Sequence, residues 1–335
     1  MAGQRIYISD FQFSNLKNKS SFQNALGVKE MPFSWEMNES QFPLYALYKE
    51  YGILDEDNAY MHMWKETQAD ILSSREQSIT DMSLEVARAL LNKHSKYLQS
   101  ITHLIFIHDT DEASLTLTPV LKLKNKLNLK KTLPFSISRS NTNGFIHALE
   151  MMCYFNENGT AAYPALMILA DRVIEPQPRM FFDYYPKGDL AVSFLIDKEP
   201  LEWEVLCYSA GVPDTLTSNP YVWKSSDFQK YKQRFQDRVM ASVDVFLQQL
   251  GINSPDWLIP QNLSADFVSV IQKNFSYKCR VYQREHFASC NMLNADCFFS
   301  LKEIENKSLL SKGESVCMIF AGPLSQIGCL LLKKK

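Results

Sequence analysis

Residues 143–155 read NGFIHALEMMCYF, and this stretch decides the fold. Its apolar side chains recur on nearly every face of an α-helix rather than along one stripe, which predicts a helix buried inside the molecule. Strand-length apolar runs surround it. Residues 101–107 (ITHLIFI) and 133–138 (LPFSIS) come before it and 165–170 (ALMILA) after it. Runs that are apolar throughout fit strands covered on both faces, and such strands alternating with helices predict a mainly βαβ architecture.

The second half of the chain repeats the style. Residues 190–196, 205–208, 257–260, 278–282, 315–320 and 327–332 read as strands. Residues 227–250 read as a long amphipathic helix with Phe228, Tyr231 and Phe235 on one stripe. Ser226 or Asp227 can cap its start, and Gly251 follows its end. A second helix is expected over 265–275. The proline-rich EPQPR at 175–179 divides the chain near its middle and reads as the seam between two similar halves, 1–175 and 176–335. Residues 30–66 are acidic, aromatic and methionine-rich, and read as a flap or an interface insert.

Composition narrows the function classes. A chain of 335 residues that is 46% hydrophobic can bury one large core or two medium ones. The net charge of −2 lacks the basic excess of a nucleic-acid binder. No apolar run is long enough to span a bilayer. The opening residues MAGQRIYISDF show neither an apolar signal region nor a small-residue cleavage site, so secretion is not expected. Seven cysteines at irregular spacings, without a CxxC pair, predict reduced thiols in a cytoplasmic protein. No cluster has metal-ligand spacing, and no metal is expected.

Several segments, in order and at consistent spacing, resemble the β-ketoacyl synthase III family. Ser83–Leu91 followed by Ile101–Thr110 is similar to the family's first long helix and next strand. SNTNGFIHAL (140–149) resembles the nucleophile segment Ala-Ala-Cys-Ala-Gly-Phe, and GDLAV (188–192) resembles a Gly-Asp-Gly-Ala-Ala strand start. WLIPQNLS (257–264) resembles Trp-Leu-Val-Pro-His-Gln-Ala-Asn, and CNMLNADCFFSL (290–301) resembles the Gly-Asn segment. Residues 313–328 resemble the closing glycine-rich hairpin. The resemblance implies an α/β protein with a thiolase-like five-layer αβαβα fold of two similar halves. It also implies a dimer built around the nucleophile helices.

The departures carry the functional reading. The family's acyl-carrying cysteine aligns with Thr142, its catalytic histidine with Gln261 and its asparagine with Asn291. A helix N-terminus can hold a thiolate but cannot ionise a threonine hydroxyl at neutral pH without a general base. Glutamine can donate a neutral hydrogen bond but cannot transfer a proton. Losing one oxyanion donor costs about 2.7–4 kcal/mol, and losing the nucleophile removes the acyl-enzyme step. In the hairpin, Gly322 and Gly328 stay as substrate-side glycines, whereas Phe320 and Leu324 stand at two further glycine positions. That implies a filled or reshaped pocket.

Each candidate has a plainer reading beside it. Thr142 is either an acyl-bearing hydroxyl or an N-cap of the buried helix. Gln261 is an oxyanion donor or a hydrogen-bonded core amide. His147 reads as a core histidine, and His108 as part of a polar turn or a group with acid–base work. His286, shortly before Asn291, is the best spare base and a candidate substrate-binding residue. Lys122, Lys124, Lys126, Lys130 and Lys131 are either a docking patch for an acidic acyl carrier protein or a solvated helix face.

Three functions follow from the resemblance. The first is a non-condensing partner of a cysteine-bearing ketosynthase, in a heterodimer or with itself as a homodimer, in fatty-acid, polyketide or specialised-metabolite biosynthesis. The second is an acyltransferase that uses acyl-carrier-protein or coenzyme A thioesters without decarboxylation. The third is a module that senses acyl thioesters. No cofactor is expected beyond the phosphopantetheine of the carrier protein or coenzyme A.

Overall fold

The apolar runs become the middle of one extended sheet. The computed structural model describes residues 5–14, 19–21, 70–72, 77–110, 118–140, 142–173, 184–211, 225–249, 254–322 and 326–335. The first half of the chain gives β1 (Ile6–Ile8), β2 (Gln12–Phe13), β3 (Lys19–Ser21), β4 (Asp70–Leu72), α1 (Ile79–Lys93), β5 (His103–His108), α2 (Pro119–Lys126) and β6 (Leu133–Ser138). Then follow α3 (Gly144–Glu157), β7 (Ala165–Asp171), β8 (Leu190–Asp197), β9 (Trp203–Ala210) and α4 (Ser225–Gln249). The chain closes with β10 (Trp257–Pro260), α5 (Ala265–Phe275), β11 (Arg280–Val281), α6 (Asp296–Asn306), β12 (Ser315–Ala321) and β13 (Ile327–Lys334).

The same strand pattern occurs twice. In one half, β6, β5 and β7 run parallel, β8 pairs antiparallel with β7, and β1 pairs antiparallel with β8. In the other, β11, β10 and β12 run parallel, β13 is antiparallel to β12, and β9 is antiparallel to β13. The antiparallel pair β1–β9 joins the two into one continuous sheet. β2 lies beside β8, and β3 pairs with β4 in a small separate sheet. The expected insert at 30–66 and the expected seam at 175–179 lie outside the described residues.

Alternation along the strands sorts side chains into three cores. Leu104 and Phe106 point outward to α1 and α2, while Ile105 and Ile107 point inward to α3. Likewise Cys317 and Ile319 face α4 and α5, while Val316 and Met318 face α6. Helices α3 and α6 are thus sandwiched between the two half-sheets, giving layers in the order αβαβα. Phe298 of α6 is the hub of the middle layer. Its ring lies 5.1–5.4 Å from those of Phe11, Phe145 and Phe194 and 6.0 Å from that of Phe320. Truncating such a ring to alanine costs about 3–5 kcal/mol.

Some expectations shift. Helix α4 starts at Ser225, so Ser226 and Asp227 lie inside its first turn rather than capping it. Phe228, Tyr231 and Phe235 are buried, as their stripe predicts. The strand expected over 278–282 shrinks to β11, because Lys278 and Cys279 donate backbone bonds to Phe275 and close the end of α5. Helix α3 is not buried all round. Phe145, Ile146, Leu149 and Met152 are buried, but Tyr154 is 64% exposed. His147 is half-exposed beside Glu150 at 3.2 Å, which corrects its reading as a core histidine. Among the described residues, no helix is long and apolar enough to cross a membrane.

Candidate functional site

Two glycines decide how closely the sheets approach the start of α3. A Cβ on Gly144 would collide with the Ile107 side chain, and one on Gly328 would stand 2.5 Å from Asn143 Oδ1. β5 and β13 therefore close on the helix N-terminus from both half-sheets. Asn143 is the N-cap residue, and its Nδ2 donates to the Ile327 carbonyl at 3.0 Å. Thr142 precedes it with φ of 86°, a left-handed conformation that β-branched residues strongly disfavour. It is 0% exposed, and among the described residues its Oγ1 has no hydrogen-bond partner. The N-cap reading of Thr142 is thereby corrected. The helix begins one residue later than that reading requires, and the hydroxyl caps nothing.

A carboxylate network holds this loop. Asp109, just after β5, accepts the Ser140 N–H at 2.8 Å and the Thr142 N–H at 3.1 Å. Asp171, at the end of β7, accepts the Asp109 and Thr110 N–H groups at 2.7 and 3.1 Å. The side-chain amide of Asn294 donates to both carboxylates, at 3.1 Å to Asp109 and 3.0 Å to Asp171. The segment leading into α6 is thus tied to the ends of two strands of the other half.

Gln261 follows β10 and is 0% exposed. Its Nε2 donates to Asn291 Oδ1 at 2.9 Å and to the Leu293 carbonyl at 3.0 Å. The orientation is set by neighbours. Asn291 Oδ1 also accepts the Leu293 N–H at 3.0 Å, so that atom is an oxygen and the glutamine atom facing it is a nitrogen. Both amide hydrogens of Gln261 are therefore committed within the fold. Its Oε1 takes the Cys297 thiol at 3.6 Å. Burial pushes that thiol well above its ordinary value, and neighbouring Asp296 adds to the shift. Cys297 is thus a neutral packing group and no replacement nucleophile.

A fully buried ion pair stands behind Gln261 and Asn291. Arg284 Nη1 lies 2.7 Å from Asp296 Oδ1, with both side chains at most 2% exposed. Asp296 also accepts the Asn262 and Met292 N–H groups at 2.7 and 2.8 Å. Breaking such a pair from one side costs about 3–5 kcal/mol, because the other charge is left buried and alone.

The structure brings Gln261 and Asn291 into direct contact and links Thr142 to them through the 291–294 segment. It does not bring His286 there. That side chain is 71% exposed and pairs with Glu303 at the surface. His108 is buried, with Nδ1 at 2.8 Å from the Thr110 carbonyl and Nε2 at 2.9 Å from Ser136 Oγ, so both nitrogens are used locally. Gly322 donates its N–H to the Gln326 carbonyl at 2.9 Å in the β12–β13 turn. Phe320 sits opposite Gly328 in the β12–β13 ladder and is fully buried, while Leu324 lies outside the described residues. Lys122, Lys124 and Lys126 lie on α2, with Lys126 at 3.6 Å from Asp81, and Lys130 and Lys131 follow in an exposed turn. Sequence reasoning missed Asp109, Asp171 and Asn294. Among the described residues, no group of three or more His, Cys, Asp or Glu side chains is arranged to hold a metal.

No protein-family model matches the chain, and no curated protein sequence matches it. Solved structures do. A protein named ChlB3, described as an acyltransferase, shares 16% identity over 98% of both chains with a TM-score of 0.69. The 3-oxoacyl-(acyl-carrier-protein) synthase III of Aquifex aeolicus shares 16% identity over 98% of this chain and 99% of its own, with a TM-score of 0.65. The corresponding synthase of Pseudomonas aeruginosa shares 14% over 98% of each, with a TM-score of 0.67. These likenesses give the fold. The chain shares the thiolase-like fold of these synthase III structures.

Proposed function

We propose that this protein is a non-condensing, ketosynthase III-like subunit of a fatty-acid, polyketide or specialised-metabolite system, paired with a cysteine-bearing ketosynthase. The observation that carries the reading is the commitment of both Gln261 amide hydrogens to Asn291 and Leu293. A donor spent inside the fold cannot stabilise the enolate oxygen of a decarboxylating thioester. Thr142 adds a neutral, fully buried hydroxyl where an acyl-carrying thiolate would be needed. In the reading proposed, acyl groups travel on the phosphopantetheine of an acyl carrier protein or on coenzyme A. The carrier protein meets the Lys122–Lys131 surface, and the work is done in the cytoplasm.

Two features support a partner subunit. β6 ends the sheet, and along it the half-buried Phe135 and Ile137 accompany Leu133, which is 51% exposed. An apolar sheet edge invites pairing with another chain. Tyr154 of α3, the helix that bears the nucleophile position at its start, is also exposed. A Cys-bearing ketosynthase is the proposed occupant, with a second copy of this chain as the alternative.

Co-expression with a Cys-bearing ketosynthase, followed by pull-down, tests the pairing. A stoichiometric complex is expected, and a chain that stays monomeric under co-expression overturns it. Intact-mass measurement after incubation with acyl-carrier-protein or acyl-coenzyme A thioesters tests the chemistry. No acyl adduct is expected. A second reading, acyl transfer without decarboxylation, is favoured by the unpartnered Thr142 hydroxyl. An adduct that forms and is abolished by Thr142→Ala would establish that second reading instead.

A further inference from the structure

We propose that Asp109 is a positioning residue whose carboxylate occupies, from within the chain, the anion-binding turn that leads into α3. The N-terminal end of a helix attracts negative charge, and the amides that lead into it are natural anion donors. Here two amides of that turn, both ahead of the N-cap Asn143, are spent internally. The Ser140 N–H reaches Asp109 Oδ1 at 2.8 Å, and the Thr142 N–H reaches Oδ2 at 3.1 Å. Asn294 Nδ2 then pins Oδ2 at 3.1 Å and ties it to Asp171.

An independent observation points to the same turn. Thr142 Oγ1 is fully buried and has no partner among the described residues, on a residue held at φ of 86°. Asp109 thus holds residue 142 through its backbone amide and makes no hydrogen bond to its side chain. The clamp on the Thr142 amide also holds the left-handed turn in place.

The arrangement has an electrostatic consequence. A side-chain atom at residue 142 lies within about 4 Å of its own backbone nitrogen. An anion there would face the Asp109 and Asp171 carboxylates across a short, poorly solvated distance, and like charges so placed raise each other's pKa. The seat that would favour a thiolate is thus inverted. The inference rests on residue 142 being the vacated nucleophile position, but its test reads ionisation rather than turnover, so the two can fail separately.

The test compares the introduced thiol in Thr142→Cys with that in Thr142→Cys/Asp109→Asn, following thiolate ultraviolet absorbance against pH. The single variant is expected to titrate above the ordinary thiol value of about 8.5, and the double variant at least about one unit lower, a tenfold gain in thiolate. Equal values in the two variants, or a single variant that titrates below the ordinary value, overturn the proposal. A second arm needs no substitution. In protein labelled with nitrogen-15 at serine and threonine, the Ser140 and Thr142 amide protons are expected to shift together, with one midpoint, as acid protonates the carboxylate they share. Amides that do not titrate, or that titrate with different midpoints, overturn it as well.

Discussion

At Gln261 a hydrogen-bond donor is present but already used. Restoring a thiol at residue 142 therefore leaves the oxyanion site without a free donor. Thr142→Cys is expected to form no condensation product with malonyl and acyl thioesters, as read by mass spectrometry of the reaction. Product from that single variant would sink the account of the oxyanion site. A second expectation concerns stability. Thr142 stores left-handed strain and an unbonded hydroxyl, each of order 1–3 kcal/mol. Thr142→Gly releases both and loses a small buried side chain. Chemical denaturation should show no net loss greater than about 1 kcal/mol, against the 2 kcal/mol or more that a fully buried residue commonly costs on truncation. The meeting of Gln261 with Asn291 was legible because the flanking segments, WLIPQNLS above all, can be read in order and spacing. The role of Asp109 was not, because its partners Asn294 and Thr142 are far away in the chain and no local pattern links them. His286 failed for a related reason. Nearness to Asn291 in sequence says nothing about which way a side chain points, and His286 pairs with Glu303 from the solvent side.

At the scale of the element, α3 is two things in succession. Its first turns bury Phe145, Ile146 and Leu149, while its last turns expose Tyr154 near a sheet edge that carries Leu133. Tyr154→Asp with Leu133→Asp is expected to weaken the complex at least tenfold in a pull-down or sedimentation experiment, with the melting temperature of the isolated chain within a few degrees of the original. Unchanged association would exclude this face as the contact. Uniform apolar patterning hid the distinction, because a helix covered by a partner and one covered by its own fold read alike. By contrast, α5 was legible to the residue. Ser264 accepts the Phe267 N–H at 3.2 Å as a regular N-cap, and Phe267, Ile271 and Phe275 line one side. Gly328→Ala is expected to destabilise by about 1–3 kcal/mol, because the new methyl meets the Asn143 side-chain amide that bonds the Ile327 carbonyl.

At the scale of the molecule, stability depends on acidic groups set between elements. Asp10, beyond β1, accepts Lys93 Nζ at 2.7 Å and pairs with His94 Nε2 at 2.6 Å at the end of α1. Burial alone would raise its carboxyl, but these bonds outweigh burial and hold it below the ordinary value. A depressed folded value means that the stabilisation is present above about pH 4 and is lost as pH falls through the folded value. Asp10→Asn should therefore lower stability by about 1–3 kcal/mol at neutral pH and by almost nothing in strong acid, as melting curves against pH would show. Glu202 has the opposite sign. Burial and Glu305 raise its carboxyl, so Glu202→Gln should stabilise at neutral pH, with the gain fading as acid protonates the native residue. The half-sheet pattern was legible from apolar run lengths, but β1 was not. Three residues, IYI, leave too short a trace in sequence, and their importance comes from what stands on either side of them.

That strand is the stitch between the halves, laddered to β8 on one edge and to β9 on the other. A chain lacking residues 1–14 would present two raw edges with a slot between them, and a synthetic peptide of that sequence should snap back into it. Fusing peptide and remainder to separate cargoes would turn the seam into a reconstitution switch whose signal reports on the native arrangement of both halves at once.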